Sequence, residues 1–298
     1  MRVAILSIIV GAFIISALVS RAGASDLQIL YPLYSYPNWY DPANYIWDDV
    51  AAAAHTVPIT AIINPNNGPD GGAPNDDYVH GMADLAAGGV TMIGYVHTSY
   101  GNTTARPLAD IEKDIDLYSA DYSGVSGIFL DEVSSDPALI SYYKQIYDYI
   151  HAKPNLTKVF ANPGTNTPEG YVTQTAETTV IFENTGGWSS YVPDSYVATD
   201  PKSKFASLML NVPTVQQMKS SIDLAVARNV GFVFVTDDIT PNPFDTLPSY
   251  WNAEVAYIAS VPEPSAAALG GVGALLLIRR RCVGLPSAGE GGTLWLTP

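Results

Sequence analysis

The sequence predicts a single-domain α/β fold, the (β/α)8 or TIM barrel. Three observations support this prediction: eight short apolar runs recur along the chain, segments with helical periodicity separate most of them, and nearly every run ends on a polar side chain. Runs that are apolar on both faces are typical of strands in a parallel sheet covered by helices. With 298 residues and 47% hydrophobic content, the chain is long enough to bury one such core.

The predicted strands are short, apolar and bounded by glycine, proline or asparagine. In chain order they cover residues 27–34, 57–63, 90–97, 125–132, 156–162, 178–183, 205–211 and 230–237. Asn64, Asn162 and Asn211 are each followed within two residues by proline, which ends a strand and turns the chain into a loop.

Helical patterns fill most of the intervening segments. They cover residues 49–54, 76–87, 108–122, 136–152, 214–229 and 248–259, and we also expect helices around 168–175 and 188–194. In the fourth segment Asp136 and Pro137 form an N-cap and a first helical residue, and Tyr143, Ile146 and Ile150 recur at helical spacing. The alternation of strand and helix favours the barrel.

An open, doubly wound sheet is the alternative architecture. The strand ends favour the barrel, because there all carboxyl ends meet at one rim, whereas in an open sheet only those near the switch point meet. The residues at these ends are Tyr34, Asn64, His97, Asp131 with Glu132, Asn162, Glu183, Asn211, and Asp237 with Asp238.

The composition limits the possible partners. A formal net charge of −15 disfavours nucleic acid and favours a neutral or cationic substrate. The one cysteine, Cys282, lies outside the predicted barrel, so we expect no disulfide framework and no thiolate metal site. The four histidines lack metal-ligand spacing. We therefore expect neither a metal nor another cofactor.

Carboxylates end two strands that lie two apart around the predicted barrel. Asp131 and Glu132 close the fourth strand, and Glu183 closes the sixth. Glycoside hydrolysis needs one protonated carboxyl group and one ionised partner, and clustering of carboxylates raises one pKa. We predict all three acids as catalytic, but because side chains alternate along a strand, only one of Asp131 and Glu132 points straight inward. A turn cap or an ion pair with lysine is the alternative role for these acids.

Aromatic residues follow the same strand ends. Their rings offer apolar faces to sugars, although each one alone is more often a packing residue. They are Tyr31, Tyr34, Tyr36, Trp39 and Tyr40 around the first strand end, Tyr95 and Tyr100 on either side of His97, and Trp188 and Tyr191 after Glu183.

An ordered set of short motifs resembles spherulation-specific family 4, the spherulin 4-like proteins, over about residues 28 to 255. The motifs are Tyr31-Pro32-Leu33-Tyr34, the stretch 62–69 with Asn64-Pro65, the stretch 94–101 with Tyr95 and His97, Ile128-Phe129-Leu130-Asp131-Glu132, Asn162-Pro163-Gly164, Phe182-Glu183-Asn184 and the stretch 234–238 with Asp237. Each motif is weak alone, and their order is specific.

The resemblance implies a (β/α)8 barrel related to fungal glycoside hydrolases that cut α-1,4-linked N-acetylgalactosamine in galactosaminogalactan. It implies catalysis at Asp131, Glu132 and Glu183. We expect substrate contacts at the same rim from Tyr34, Asn64, Tyr95, His97, Asn162, Asn184 and Asp237. The leading hypothesis is an endo-α-1,4-N-acetylgalactosaminidase-like hydrolase of amino-sugar exopolysaccharide. The alternatives are a non-catalytic polysaccharide-binding barrel and, with less support because it commonly needs a metal, a sugar deacetylase.

Both ends of the chain resemble targeting segments. Residues 1–24 have a basic start, an apolar stretch and a small-residue cleavage site, as in a secretory signal peptide, with an uncleaved anchor as the alternative. Residues 261–282 resemble a bacterial PEP-CTERM sorting signal, with Pro262-Glu263-Pro264, an apolar segment and three arginines in order.

These signals predict the location of the protein. The resemblance implies processing by an exosortase, transient membrane association through the C-terminal segment, and a final place at the cell surface or in the extracellular matrix of a bacterial envelope. Residues 283–298 form a tail without assignment. The predicted barrel domain covers residues 25–260.

Overall fold

Eight parallel strands close into one barrel, in chain order, in the computed structural model, which describes residues 26–262. The strands are β1 Gln28–Leu33, β2 Ile59–Ile63, β3 Thr91–His97, β4 Val125–Asp131, β5 Lys158–Ala161, β6 Thr178–Asn184, β7 Phe205–Met209 and β8 Phe232–Val235. The predicted (β/α)8 barrel is confirmed, and the open doubly wound sheet is excluded because β8 pairs with β1.

Seven α-helices alternate with the strands in the described range. They are α1 Ile46–Ala53, α2 Asp76–Gly88, α3 Leu108–Asp121, α4 Ile140–His151, α5 Glu169–Gln174, α6 Val215–Ala227 and α7 Trp251–Ser260. The helix predicted around 168–175 is α5, which has only six residues.

The helix predicted around 188–194 is wrong. Only the 3-10 turn Trp188–Ser190 forms there, and two further 3-10 turns complete the connection from β6 to β7. Gly187 precedes the turn with a left-handed φ of +84°, and Pro193 lacks the backbone N–H that a helix interior needs. The β6–β7 connection is therefore an irregular segment in place of an α-helix.

The sequence pattern of α4 matches its observed packing. Asp136 caps a short 3-10 turn by accepting a hydrogen bond from the backbone N–H of Ala138, and α4 follows directly. Tyr143, Ile146 and Ile150 are buried against the barrel. The apolar stripe of this helix thus covers the β4–β5 side of the barrel, below the predicted acids.

Within the described residues, Asp26 to Val261 form one compact unit. Within residues 26–262 no helix combines the length and apolarity needed to cross a bilayer. The signal peptide predicted at 1–24, the sorting signal beyond Pro262 and the tail at 283–298 lie outside the described residues.

Candidate active site

Two of the three predicted catalytic acids meet at the carboxyl rim of the barrel through one side-chain amide. Asn162 Nδ2 donates hydrogen bonds to Asp131 Oδ1 at 2.8 Å and to Glu183 Oε2 at 2.6 Å. The three residues belong to adjacent rim positions, because Asp131 ends β4, Asn162 follows β5 and Glu183 lies near the end of β6. The two carboxylates therefore lie within two hydrogen-bond lengths of each other.

Asp131 is the inward-pointing member of the adjacent acid pair. Its Oδ2 accepts a hydrogen bond of 2.7 Å from the hydroxyl of Tyr95, a buried residue of β3 whose ring stacks on Phe129 at 6.3 Å. Burial raises the pKa of Asp131, while the hydrogen bonds from Tyr95 and Asn162 oppose that rise. Both oxygens of this carboxylate are thus held by a defined donor.

Glu183 is the acid whose pKa is shifted to neutrality. Burial is the largest cause and the nearby Asp131 carboxylate the second, and together they raise the pKa of Glu183 to about 7, against the opposing hydrogen bond from Asn162. The charge of Asp131 itself raises the pKa of Glu183, and Asp131 accepts hydrogen bonds from two side chains whereas Glu183 accepts one. Asp131 therefore ionises first, and Glu183 retains its proton to higher pH. The pair supplies one carboxylate and one carboxylic acid.

Glu132 lies beside this pair rather than in it. Strand β4 ends at Asp131, one residue earlier than predicted, because Glu132 has a left-handed φ of +53°. Its carboxylate Oε2 lies 3.5 Å from His97 Nδ1. Of the three predicted catalytic acids, Asp131 and Glu183 therefore form a pair bridged by Asn162, and Glu132 lies beside it next to His97.

A buried threonine that the sequence analysis did not single out holds the acid-bearing turn. Thr98 Oγ1 donates to the backbone carbonyls of Asp131 at 3.0 Å and Glu132 at 2.8 Å, and it lies 3.0 Å from the hydroxyl of Tyr143. The Tyr143 hydroxyl accepts a hydrogen bond from Ser134 N. The only sequence signal that could have pointed to Thr98 is its position directly after β3. Tyr143 has no such signal, because in the sequence it looks like any other residue of the apolar stripe of α4.

Tyr34 and Tyr100 lie at the mouth of the site. The Tyr34 ring meets the Tyr95 ring edge-on at 5.7 Å, and burial followed by the charge of Asp131 raises the pKa of the Tyr34 hydroxyl. Tyr100 is 62% exposed. Its partial burial, followed by the charges of nearby acids with Glu132 first, raises its pKa. Both hydroxyls therefore remain protonated and available as donors.

Three of the predicted substrate-contact residues form hydrogen bonds within or beside loops, and their side chains do not hydrogen-bond to Asp131 or Glu183. Asn64 Oδ1 accepts a hydrogen bond from Gly68 N at 2.9 Å, within the β2–α2 loop. Asp237 accepts hydrogen bonds from Ser249 N and Ser249 Oγ, before α7.

Asn184 is the third. It follows Glu183 on β6, so its side chain projects to the opposite face of the strand, where Oδ1 accepts from Thr185 N at 2.7 Å. There it lines a cavity of about 350 Å³ between the β6–β7 loop and α6.

The described residues offer no cluster of three or more His, Cys, Asp or Glu side chains placed to hold a metal ion. The side chains described at this rim offer carboxyl groups, amides, hydroxyls and the imidazole of His97.

Comparisons with known proteins agree with this architecture. Residues 28–258 match the family model described as spherulation-specific family 4. Spherulin-4 of Physarum polycephalum is 35% identical over 250 residues, which cover 80% of this chain and 72% of that protein.

Two solved structures are also similar. Sph3 of Aspergillus clavatus, solved in complex with GalNAc, has a TM-score of 0.68 and 26% identity, covering 80% of this chain and 99% of Sph3. The spore cortex-lytic enzyme SleL of Bacillus cereus shares the fold with a TM-score of 0.50 at 12% identity, covering 80% of this chain and 76% of SleL. The family match, the Physarum relative and the closed barrel lead to one conclusion: the chain belongs to spherulation-specific family 4.

Proposed function

We propose that the protein is a glycoside hydrolase that cleaves an amino-sugar polysaccharide. The single observation that carries the proposal is the Asp131–Asn162–Glu183 arrangement, in which one amide holds two carboxyl groups with different proton affinities. This is the combination that carboxylate-catalysed glycoside hydrolysis needs.

In the proposed reaction Glu183 acts as the general acid. Its pKa of about 7 leaves a large share of the group protonated near neutral pH, so it can give a proton to the glycosidic oxygen as the C1–O bond breaks. Asp131, ionised first, faces the developing positive charge at C1. Its oxygens are held by Tyr95 and Asn162, which fixes the carboxylate before substrate arrives.

The spacing of the two acids favours a double displacement. Retaining glycosidases place the two carboxyl groups about 5 Å apart, whereas inverting enzymes need about 6.5–9.5 Å to admit a water molecule. Two acids that share one amide nitrogen fit the shorter spacing. Asp131 then bonds to C1, and a water that loses a proton to the Glu183 carboxylate breaks that bond, restoring both acids.

The proposed substrate class is a polymer of N-acetylgalactosamine or a similar amino sugar, with α-1,4 linkages as in galactosaminogalactan. Sph3, whose structure contains GalNAc, supports this choice as a relative that matches 80% of the chain. The net charge of −15 is compatible with neutral or partly cationic polymers.

We further propose, from the sequence alone, that the protein is exported and sorted to the cell surface. Mass spectrometry of protein recovered from the producing cell tests both ends. The proposal predicts an N-terminus near Ser25 and loss of the segment after Pro262-Glu263-Pro264, and intact ends on both sides contradict it.

Purified protein incubated with galactosaminogalactan and with other amino-sugar polymers tests the activity. We expect shorter oligosaccharides and new reducing ends, with the anomeric configuration of the first product retained. Binding of polymer without any new reducing ends, by a protein shown to be folded, favours the non-catalytic binding barrel instead.

A further inference from the structure

The β1–α1 loop presents three exposed aromatic side chains that take no part in the carboxylate cluster. Tyr36, Trp39 and Tyr40 are 47%, 44% and 64% exposed. Together with His80 of α2 they form a surface that we call the aromatic platform. Single exposed apolar side chains are ordinary, but several large rings on one short loop are typical of a recognition surface.

One carboxylate fixes the orientation of two of these rings. The Tyr36 hydroxyl donates to Asp77 Oδ2 at 2.6 Å, and Trp39 Nε1 donates to Asp77 Oδ1 at 2.9 Å. His80, one helical turn after Asp77, stacks on the indole at 4.5 Å with an interplanar angle of 22°. The rings of Tyr36 and Trp39 are therefore held in place before a ligand binds, which lowers the entropy cost of ordering them on binding.

The loop that carries the platform is packed tightly on α2. Pro37 is buried, and a Cβ at Gly81 would lie 2.9 Å from Pro37 Cβ and 2.7 Å from Trp47 Cε3. Glycine at position 81 therefore lets the loop lie directly against the helix. The exposed rings are therefore carried by a loop that is anchored to α2.

The platform lies on the same rim of the barrel as the candidate active site. Its loop begins just after Tyr34, whose ring contacts Tyr95, the hydrogen-bond donor to Asp131. Trp39 is five residues after Tyr34 in the chain, so their Cα atoms lie at most about 18 Å apart. A polymer bound across Asp131 and Glu183 can therefore reach the platform with units that are not cleaved.

We propose that the aromatic platform binds pyranose units of the polysaccharide away from the cleavage position, with apolar sugar faces stacked on Tyr40 and on the face of Trp39 opposite His80. The identity of the polymer rests on the proposed function. The polar groups of Tyr36 and Trp39 are occupied by Asp77, so these rings offer faces rather than donors.

The charges around the platform favour a sugar over an anionic lipid surface. Asp41 follows Tyr40 in the loop, Asp76 and Asp77 open α2, and Asp84 lies 3.4 Å from His80. Acidic side chains repel an anionic membrane, whereas they accept hydrogen bonds from sugar hydroxyl and amino groups.

Polymer binding by substituted proteins tests the platform. A Glu183→Gln parent, which leaves the polymer intact, is titrated with galactosaminogalactan by affinity electrophoresis, and Trp39→Ala and Tyr40→Ala are added separately. We expect each substitution to weaken binding about fivefold. Tyr257→Ala, on the last turns of α7 at the opposite end of the barrel, is the matched aromatic control and should bind as the parent does.

The outcomes separate the platform from the catalytic proposal. Three results overturn the inference, whatever polymer the wild-type protein hydrolyses. They are unchanged binding in both platform variants, an equal loss of binding in Tyr257→Ala, and no polymer binding by the Glu183→Gln parent. Weaker binding in the platform variants alone supports it, even if wild-type protein releases no product. Tyr40 is 64% exposed, so Tyr40→Ala keeps the test valid if Trp39→Ala fails to fold.

Discussion

Asp131 ends β4 and Glu183 is the penultimate residue of β6, two strands away, and one amide nitrogen, that of Asn162, donates to both. The shared donor sets their spacing and lowers both pKa values against the effect of burial. Because Asp131 is ionised at lower pH than Glu183, the pair is chemically asymmetric even though both residues are carboxylic acids.

Asn162→Ala should change the pH dependence of turnover. Loss of the shared donor raises the pKa of Glu183 above about 7 and raises that of Asp131, so both limbs of the pH–rate profile move to higher pH. Turnover at the optimum should fall about tenfold to a hundredfold, as expected for loss of a hydrogen bond to a charged group.

Asn184→Ala is the matched control for this change, because Asn184 follows Glu183 but its side chain lies on the other face of β6. Its pH profile should coincide with that of wild type. A merely structural role for Asn162 predicts lower activity with limbs at their original pH.

Tyr95→Phe should move mainly the acid limb of the profile. The hydroxyl of Tyr95 donates to Asp131 Oδ2, and its removal raises the pKa of Asp131. Activity that needs ionised Asp131 is then lost at a higher pH as the solution is acidified. Steady-state rates between pH 4 and 9 measure the shift, and an unmoved acid limb argues against Asp131 as the ionised partner.

At position 132 we expect a glycine variant to be at least as stable as an alanine variant, the reverse of the order in a helix or strand. Glu132 has a φ of +53°, a region that costs about 1 kcal/mol or more for residues with a Cβ but not for glycine. We expect Glu132→Gly to be at least as stable as Glu132→Ala in urea unfolding. At Lys113, an exposed position in the middle of helix α3, alanine should be more stable than glycine by about 0.5–1 kcal/mol. Alanine preferred at both positions contradicts the left-handed backbone.

Glu254→Gln should stabilise the protein increasingly as pH rises. Glu254 is fully buried and accepts a hydrogen bond from Val235 N, and burial raises its pKa well above 4.5. The folded state therefore keeps the proton that the unfolded chain releases. The stability this gives is complete below the unfolded pKa and is lost as pH rises, by up to about 1.4 kcal/mol per pH unit.

Unfolding free energies of wild type and Glu254→Gln between pH 4 and 8 measure this effect. The glutamine retains the acceptor for Val235 N and carries no charge, so the difference should grow in its favour with pH. A difference that is constant with pH indicates that Glu254 ionises normally in the fold.

The barrel was predictable because its strands and most of its helices carry strong local patterns. Apolar runs such as 125–132 and the stripe of α4 identify their elements without tertiary information. The irregular β6–β7 connection also carries a local signal, because Gly187 and Pro193 break helices whatever their neighbours. The error at 188–194 came from expecting a helix after every strand.

The candidate site was predictable at the level of residues, and its geometry was not. Asp131, Asn162 and Glu183 stand at strand ends, which is visible in the sequence. The turn at Glu132 depends on hydrogen bonds from Thr98 and Tyr100, which come from another strand end. Asp237 likewise bonds to Ser249, twelve residues further along the chain, so its loop-fastening role leaves no local pattern.

The measurement that tests the central claim most directly is the turnover of Glu183→Gln on galactosaminogalactan, compared with that of Glu112→Gln, a control substitution on helix α3. Glutamine keeps the size of the side chain and removes the proton donor. We predict that Glu183→Gln loses about a hundredfold to ten-thousandfold in kcat while it still binds polymer, and that Glu112→Gln keeps wild-type turnover. Wild-type turnover by folded Glu183→Gln contradicts the assignment of Glu183 as the general acid.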